Sequence, residues 1–317
     1  MRRPIVRVGQ LATLVLAFVH PQRAESQGLQ ADLDRARSLT RAAYSMYDQD
    51  TRGDTLAFGR SGVLVAEGDS WFDYPRWDVL KALRREYGYE VVSVAHYGQT
   101  LEEIAYSPSQ LSGVIEALVH IRKEGKRPKA LLLSAGGNDL AGPELSSILT
   151  YRGSGQDPVD DAILTQIIDV RLRRAMKTWL LAVTEIAAKE FGPTKIPILI
   201  HGYDYPVADG RGFLGGFWIL PGPWLDPSFR TRAYAGAPNG VDANTGTMHL
   251  VIDRYNRMLS SLPADPLLAH VKYVRVTGTL SDDPATYKQD WSNELHPTGD
   301  GFKRVAKLFQ RAIVSPQ

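Results

Sequence analysis

Four short segments that lie far apart in the sequence contain the side chains best suited to chemistry. They are Gly68-Asp69-Ser70, Gly98 within His96–Thr100, Asn138-Asp139 after two glycines, and His296 before Pro297. A serine hydroxyl is a weak nucleophile at neutral pH, so it needs a base within about 3 Å to take its proton. An imidazole ordinarily titrates in the range that such a base requires, which makes His296 the candidate. These residues predict nucleophilic chemistry on Ser70, provided that the fold brings the segments together.

The elements that must position these residues alternate between strand-like and helix-like segments. Continuous apolar runs such as Ala130–Leu133 and Ile196–Ile200 predict strands that are buried on both faces. We predict strands at 62–67, 90–95, 129–135, 196–201 and 271–276, and helices at 77–87, 110–122, 162–191, 247–262 and 299–313. This alternation indicates a parallel, doubly wound sheet, in which ligands bind beyond the carboxyl ends of the strands. Each of the four segments follows a predicted strand, so they are expected to meet at one edge.

The four segments resemble, in order, the four blocks of the SGNH (GDSL-like) hydrolase family, which is named for its Ser, Gly, Asn and His. The resemblance spans about residues 62–315. Any one block is common, but four blocks in this order at strand ends are specific. The resemblance implies a flavodoxin-like three-layer α/β sandwich with a five-stranded parallel sheet. It also implies an esterase or lipase that cleaves carboxylic esters through an acyl-enzyme on Ser70, without a cofactor.

The same resemblance implies roles for the other residues. His296 would be the general base and acid, and the backbone N–H groups of Ser70 and Gly98 would form an oxyanion hole with the Asn138 amide. One such donor lowers the barrier by about 3 kcal/mol. Tyr203 and Asp204 follow the fourth predicted strand, so they are candidates for the substrate pocket, with a hydrogen-bonded loop as the alternative.

One position departs from the family pattern. The family usually has Asp three residues before the histidine, and this sequence has Asn293 there. A carboxylate in that place holds the imidazole tautomer and stabilises the imidazolium. Three alternatives follow: Asn293 or a main-chain carbonyl orients His296, a nearby carboxylate substitutes, or the protein is inactive. For the carboxylate we favour Asp290, ahead of Glu294 and Asp204.

Composition excludes several classes of function. The chain has no cysteine, which excludes disulfides, thiolate metal sites and cysteine nucleophiles. A net charge of +2 gives no reason to expect nucleic acid as a partner. The histidines show no paired metal-ligand spacing, so we predict no metal. The expected partner is a small-molecule or polymer-borne ester, and the oligomeric state is not readable.

The N-terminus carries the pattern of a secretory signal. Arg2, Arg3 and Arg7 precede the apolar run Leu11–Val19, which is too short to anchor the chain in a bilayer. We predict a signal peptide at 1–24, with a secreted or periplasmic protein as the consequence, although Gln22 is unusual for a cut after Ala24. A helix and linker at 25–59 would follow, and then a hydrolase domain at 60–317.

The segment 209–247 interrupts the alternation because it is rich in Gly, Pro and aromatic residues. We interpret it as an insertion over the site, which either contacts substrate or packs its own aromatic side chains. In the first case the insertion is suited to a carbohydrate esterase that removes acetyl groups from a polysaccharide. A non-catalytic binding protein on the same scaffold is a further alternative, motivated by Asn293. An α/β-hydrolase or a serine protease of a different fold is disfavoured, because Ser70 is followed by Trp71-Phe72 rather than by the glycine of a nucleophile elbow.

Overall fold

The core of the molecule is a five-stranded sheet with the order β2-β1-β3-β4-β5. The computed structural model describes residues 9–46, 60–215 and 220–315, with side chains in the first range from Gln27 onwards. The strands are β1 Val63–Gly68, β2 Glu90–Ser93, β3 Ala130–Ser134, β4 Ile198–His201 and β5 Val271–Val274. Every neighbouring pair is parallel. This is the flavodoxin-like order, so the predicted fold class is confirmed.

Helices flank the sheet in two groups, α2 with α10, and α1 with α4 and α7. The helices are α1 Gly9–Met46, α2 Val79–Tyr87, α3 Leu101–Tyr106, α4 Pro108–Lys123, α5 Pro143–Ile148, α6 Asp161–Leu164, α7 Arg173–Phe191, α8 Asp226–Thr231, α9 Val241–Ser261 and α10 Gly299–Val314. A π-helical segment, Thr165–Leu172, joins α6 to α7. Strands β1 and β3 are buried along their whole length. That burial is why their sequences are continuous apolar runs.

The predicted elements are present, with differences at their ends that have local causes. Helix α2 begins at Val79 rather than Trp77, because the Asp78 side chain caps it by accepting a hydrogen bond from the Lys81 N–H at 2.6 Å. The short helix α3 was not predicted, and a capping box between Thr100 and Glu103 starts it. Helix α9 begins at Val241 rather than Thr247, so the end of the predicted insertion is helical.

Helix α1 packs on the same core as the sheet. Its Ala36 and Ala43 side chains are fully buried, and the Tyr44 hydroxyl donates to Glu190 Oε1 at 2.6 Å. Residues 47–59, most of the predicted linker, lie outside the described residues, as do Phe217 and Trp218 of the insertion. Within the described ranges, no helix is both long and apolar enough to cross a bilayer. The signal peptide stays a prediction.

Candidate active site

Ser70 lies at the carboxyl end of β1, on a turn that buried hydrogen bonds hold in place. The Asp69 carboxylate accepts hydrogen bonds from Ser134 Oγ at 2.6 Å, from the Trp71 N–H at 3.0 Å and from the Tyr203 hydroxyl. Gly68 permits a close approach to β3, because a Cβ there would stand 2.4 Å from the Ser134 carbonyl oxygen. These contacts of Asp69 and Gly68 fix the turn, and the Ser70 side chain is half-buried.

The structure brings His296 to Ser70, although 226 positions separate them in the sequence. His296 Nε2 lies 2.7 Å from Ser70 Oγ, and the His296 side chain is buried. Burial disfavours the charged imidazolium and lowers the pKa of His296 to about 3. At neutral pH the ring is therefore uncharged, and one of its nitrogens can accept a proton.

Asn293 contacts the other ring nitrogen of His296. Asn293 Oδ1 lies 2.9 Å from His296 Nδ1 and also accepts from the backbone N–H groups of His296 at 2.9 Å and Leu295 at 3.0 Å. Because those two donors can be satisfied only by an oxygen, the orientation of the amide is determined. Nδ1 must then carry the proton and donate it to Oδ1. Nε2 is left with its lone pair directed at the Ser70 hydroxyl.

Aromatic rings enclose this imidazole. The Tyr74 ring stacks on the His296 ring with 4.2 Å between centroids, and the Tyr74 hydroxyl accepts a hydrogen bond from Asn293 Nδ2 at 3.0 Å. The Trp224 ring, from the predicted insertion, contacts the imidazole edge-on at 5.4 Å. The sequence gives no sign of this contact, since no spacing pattern links Tyr74 to position 296.

Asp290, the favoured third member, does not reach His296. Its carboxylate forms an ion pair with Arg304 and accepts a hydrogen bond from the Ser281 N–H at 2.7 Å. The expectation that Asp290 orients the imidazole is therefore corrected, and the alternative, Asn293, occupies that position. Asp204 is also engaged elsewhere, because it accepts from the N–H groups of Gly278, Thr279 and Leu280 at 2.7–2.8 Å. Its role in the structure is to hold the loop after β5.

Glu294 connects the insertion to the loop that carries His296, residues 290–298, which we call the histidine loop. Its carboxylate is buried and accepts hydrogen bonds from four backbone N–H groups, those of Gly210, Trp224, Leu225 and Asp226, at 2.6–3.0 Å. Burial raises the pKa of Glu294 to about 7, while the four donors favour the ionised form. Sequence reasoning considered Glu294 only as a substitute carboxylate. No spacing pattern in the sequence marks Glu294 as an internal anchor, because its partners are backbone N–H groups.

In the part of the chain that the structure describes, each of the three candidate oxyanion donors keeps an N–H hydrogen that no acceptor contacts. Gly98 has φ +83°, a conformation that favours glycine, and no acceptor contacts its N–H or that of Ser70 among the described residues. Asn138 Nδ2 donates one hydrogen to the Gln99 carbonyl oxygen at 2.8 Å, which leaves its second hydrogen available. All three predicted oxyanion donors are therefore present and have N–H groups to offer.

A small cavity of about 40 Å³ opens beside Ser70. Tyr203 and Asp204, the sequence candidates for substrate contact, both contribute to its wall, with Asn138. Aliphatic side chains supply much of the remainder, namely Leu140, Ala141, Leu225, Met248, Ile252 and Leu295. Among the described residues, no group of three His, Asp or Glu side chains is arranged to hold a metal ion.

Several known structures resemble this chain in fold. A lipase from a goat rumen metagenome matches with a TM-score of 0.51 and 15% identity, over 80% of this chain and 97% of that one. The chain has the SGNH hydrolase fold. An extracellular lipase from Streptomyces rimosus also matches, with a TM-score of 0.47 and 15% identity over 79% of this chain and 99% of that one. So does a lipolytic G-D-S-L family protein from Veillonella parvula, with a TM-score of 0.41 and 11% identity over 78% and 96%.

A scan against protein-family models and a search of curated proteins gave no match to this chain. At identities this low, the structural likeness establishes the SGNH fold and leaves the activity to be argued from the site.

Proposed function

We propose that this SGNH-fold protein is a serine hydrolase that cleaves carboxylic esters through an acyl-enzyme on Ser70. The observation that carries the proposal is the continuous chain of contacts from Ser70 Oγ through His296 to Asn293 Oδ1, at 2.7 Å and 2.9 Å. A nucleophile in contact with a base, with a third group orienting that base, is the arrangement that activates a hydroxyl.

In the first half-reaction, Ser70 Oγ attacks the ester carbonyl carbon while His296 Nε2 takes the hydroxyl proton. The carbonyl oxygen becomes an oxyanion, which the N–H groups of Ser70 and Gly98 and the Asn138 amide stabilise. The bond to the alcohol oxygen then breaks, and Nε2 returns its proton to that oxygen. The acyl group stays on Ser70.

In the second half-reaction, water replaces the alcohol. His296 Nε2 takes a proton from the water as its oxygen attacks the acyl carbon. The bond to Ser70 Oγ then breaks, Oγ takes the proton back from Nε2, and the carboxylic acid leaves. No other residue has to change its protonation state.

Asparagine can serve as the third group here because its amide cannot rotate. In serine proteases with a Ser-His-Asp triad, an Asp to Asn change costs about 10⁴ in kcat because the histidine adopts the wrong tautomer. In this protein the N–H groups of Leu295 and His296 hold the amide oxygen towards Nδ1, so the correct tautomer is kept. What is missing is only the negative charge, which would stabilise the imidazolium.

The test is covalent labelling by a fluorophosphonate probe, followed by mass spectrometry of the modified peptide. Wild-type protein is expected to be labelled on Ser70 only, and Ser70→Ala should abolish labelling. Ser292→Ala is the matched control, since this exposed serine lies in the histidine loop and its variant should label normally. His296→Ala should slow labelling at least a hundredfold. An unlabelled wild type that is folded would favour the non-catalytic binding protein instead.

Export is part of the proposal, and it is supported by the basic and apolar N-terminal pattern described for residues 1–24. N-terminal sequencing of the protein recovered from its native host would test it. A mature chain that starts near residue 25 supports export, and an intact N-terminus in the cytosol contradicts it.

A further inference from the structure

Two spaces adjoin the site, a small cavity and a large open groove. The hydrogen bond between Asn138 and Gln99 lies between them. Asn138, in the wall of the small cavity beside Ser70, donates to the carbonyl of Gln99 at 2.8 Å. Gln99 in turn lines an open groove of about 770 Å³ that also includes Gly98. An ester bound at Ser70 therefore has a small cavity and a large open groove available for its acyl and alcohol parts.

We infer that the substrate is an acetylated carbohydrate, with the acetyl group in the small cavity and the sugar in the open groove. This inference rests on the proposed ester hydrolysis and names its substrate class. The cavity limits the size of the acyl group, and the groove selects the alcohol independently of it.

The small cavity has room for only a short acyl chain. Its volume of about 40 Å³ holds about three water-sized groups, because each needs at least roughly 10–15 Å³ on this measure. An acetyl group has that size. Its methyl would contact the aliphatic side chains of Met248 and Ile252, and a longer chain would have to displace them at a cost of about 1–3 kcal/mol.

The open groove has the wrong lining for a fatty chain. None of its wall residues is aliphatic, and the side chains that form it are polar or aromatic: His96, Tyr97, Gln99, Glu102, Tyr106 and Gln110. A long acyl chain there would meet aromatic ring faces but no aliphatic side chain, and it would cover polar groups without satisfying them. A ligand with many hydroxyl groups instead finds donors and acceptors along the wall.

An exposed aromatic pair forms one side of this groove. Tyr97 is 61% exposed, and its ring stacks on the His96 ring with 4.5 Å between centroids. The face of an aromatic ring is electronegative and apolar, so it binds the C–H face of a pyranose. The stacking holds the Tyr97 ring, which lowers the entropy lost when a sugar binds.

The carboxylates of the groove are already engaged, so a neutral sugar fits best. Glu102 pairs with Arg171 at 2.6 Å, and Glu103 accepts from the backbone and hydroxyl of Thr100 at 2.8 Å and 2.9 Å.

The position of the groove is also fixed relative to Ser70. The Tyr97 N–H donates to Asp73 Oδ2 at 3.2 Å, and Asp73 belongs to the turn that carries Ser70.

The test compares two acetyl esters that differ only in the alcohol. Acetylated xylo- and cello-oligosaccharides would occupy the groove, whereas 4-nitrophenyl acetate presents a single ring. In Tyr97→Ala, kcat/KM for the sugars is expected to fall at least tenfold more than for 4-nitrophenyl acetate, with most of the change in KM. Tyr97→Phe should restore it. Tyr151→Ala is the control, because Tyr151 is a similarly exposed tyrosine outside the groove, and it should leave both substrates unchanged.

Calorimetry on Ser70→Ala separates this inference from the activity itself. Binding of acetylated xylo-oligosaccharide to this variant, lost on adding Tyr97→Ala, would support the groove even if no ester were cleaved. Equal losses on both substrates, or no loss in Tyr97→Ala, would overturn the sugar assignment. Faster turnover of 4-nitrophenyl octanoate than of the acetate would overturn the acetyl assignment.

Discussion

Replacing Asn293 by Asp supplies the one part of the proposed Ser70–His296–Asn293 arrangement that is missing, a negative charge beside the imidazole. The new carboxylate can keep every contact of the amide oxygen, because the N–H groups of Leu295 and His296 and the Nδ1–H of His296 all donate to it. Only the contact with Tyr74 must reverse, and a hydroxyl can do so by rotating its hydrogen. The geometry should therefore survive while a negative charge appears next to the imidazole.

The size of the effect follows from Coulomb's law. Two unit charges about 4 Å apart interact by about 4 kcal/mol at an effective dielectric constant near 20, which is about three pKa units. The pKa of His296 should therefore rise from about 3 towards about 6, since the carboxylate stabilises the imidazolium. The same stabilisation acts on the transition state, so kcat at pH 7 should rise about tenfold to a hundredfold.

The assay is kcat/KM for 4-nitrophenyl acetate between pH 3 and pH 9. Because the base must be uncharged to accept a proton, wild-type activity should persist well below pH 6. In Asn293→Asp the acid limb of the profile, the range in which kcat/KM falls as His296 becomes protonated, should move up towards pH 6. Asp290→Asn is the matched control: it removes a charge from the same loop, but Asp290 pairs with Arg304 rather than His296, so the limb should stay in place. An acid limb that does not move in Asn293→Asp would refute the reasoning.

Four further predictions concern the same site. Asn138→Ala should lower kcat about a hundredfold with the melting temperature nearly unchanged, and an unchanged kcat would remove the amide from the oxyanion hole. Glu294→Ala should lower the free energy of unfolding by more than about 3 kcal/mol in urea denaturation, because four N–H groups, two of them buried, lose their acceptor. Asp290→Ala should retain most of its activity, measured on 4-nitrophenyl acetate, and a loss of a hundredfold would return Asp290 to the mechanism. Since the pKa of His296 is about 3 when folded and near its ordinary value of 6.5 when unfolded, the unfolded state binds more protons between these values. Stability should therefore fall as the pH drops from about 6.5 to 3, and His296→Gln should show a shallower fall of melting temperature over that range.

The sheet could be predicted from sequence because burial on both faces leaves a direct mark. Strands such as Ala130–Ser134 have no polar face, so their composition alone distinguishes them from surface strands. Helix ends were less accurate where a side-chain cap decided the first residue, as Asp78 does for α2. The insertion could not be resolved into helices because its glycines, prolines and aromatic residues give no clear period.

At the site, residue types were predictable and one partnership was not. Order along the chain and position after strands identified Ser70, Asn138 and His296. The choice between Asp290 and Asn293 was made on charge, whereas the fold decides it by the path of the loop. Two backbone N–H groups fix the Asn293 amide, and no spacing of residue types records where such donors point.

Helix α1 has a practical consequence for anyone who expresses this protein. Its Ala36 and Ala43 pack against the rest of the core, so the unit that folds starts well before the first strand. A gene that starts at residue 60 would lack α1, and the surfaces of α4 and α7 that α1 contacts would become an exposed, apolar, aggregation-prone surface. A start near residue 25 would keep those alanines, and a fusion partner placed there would stand clear of them.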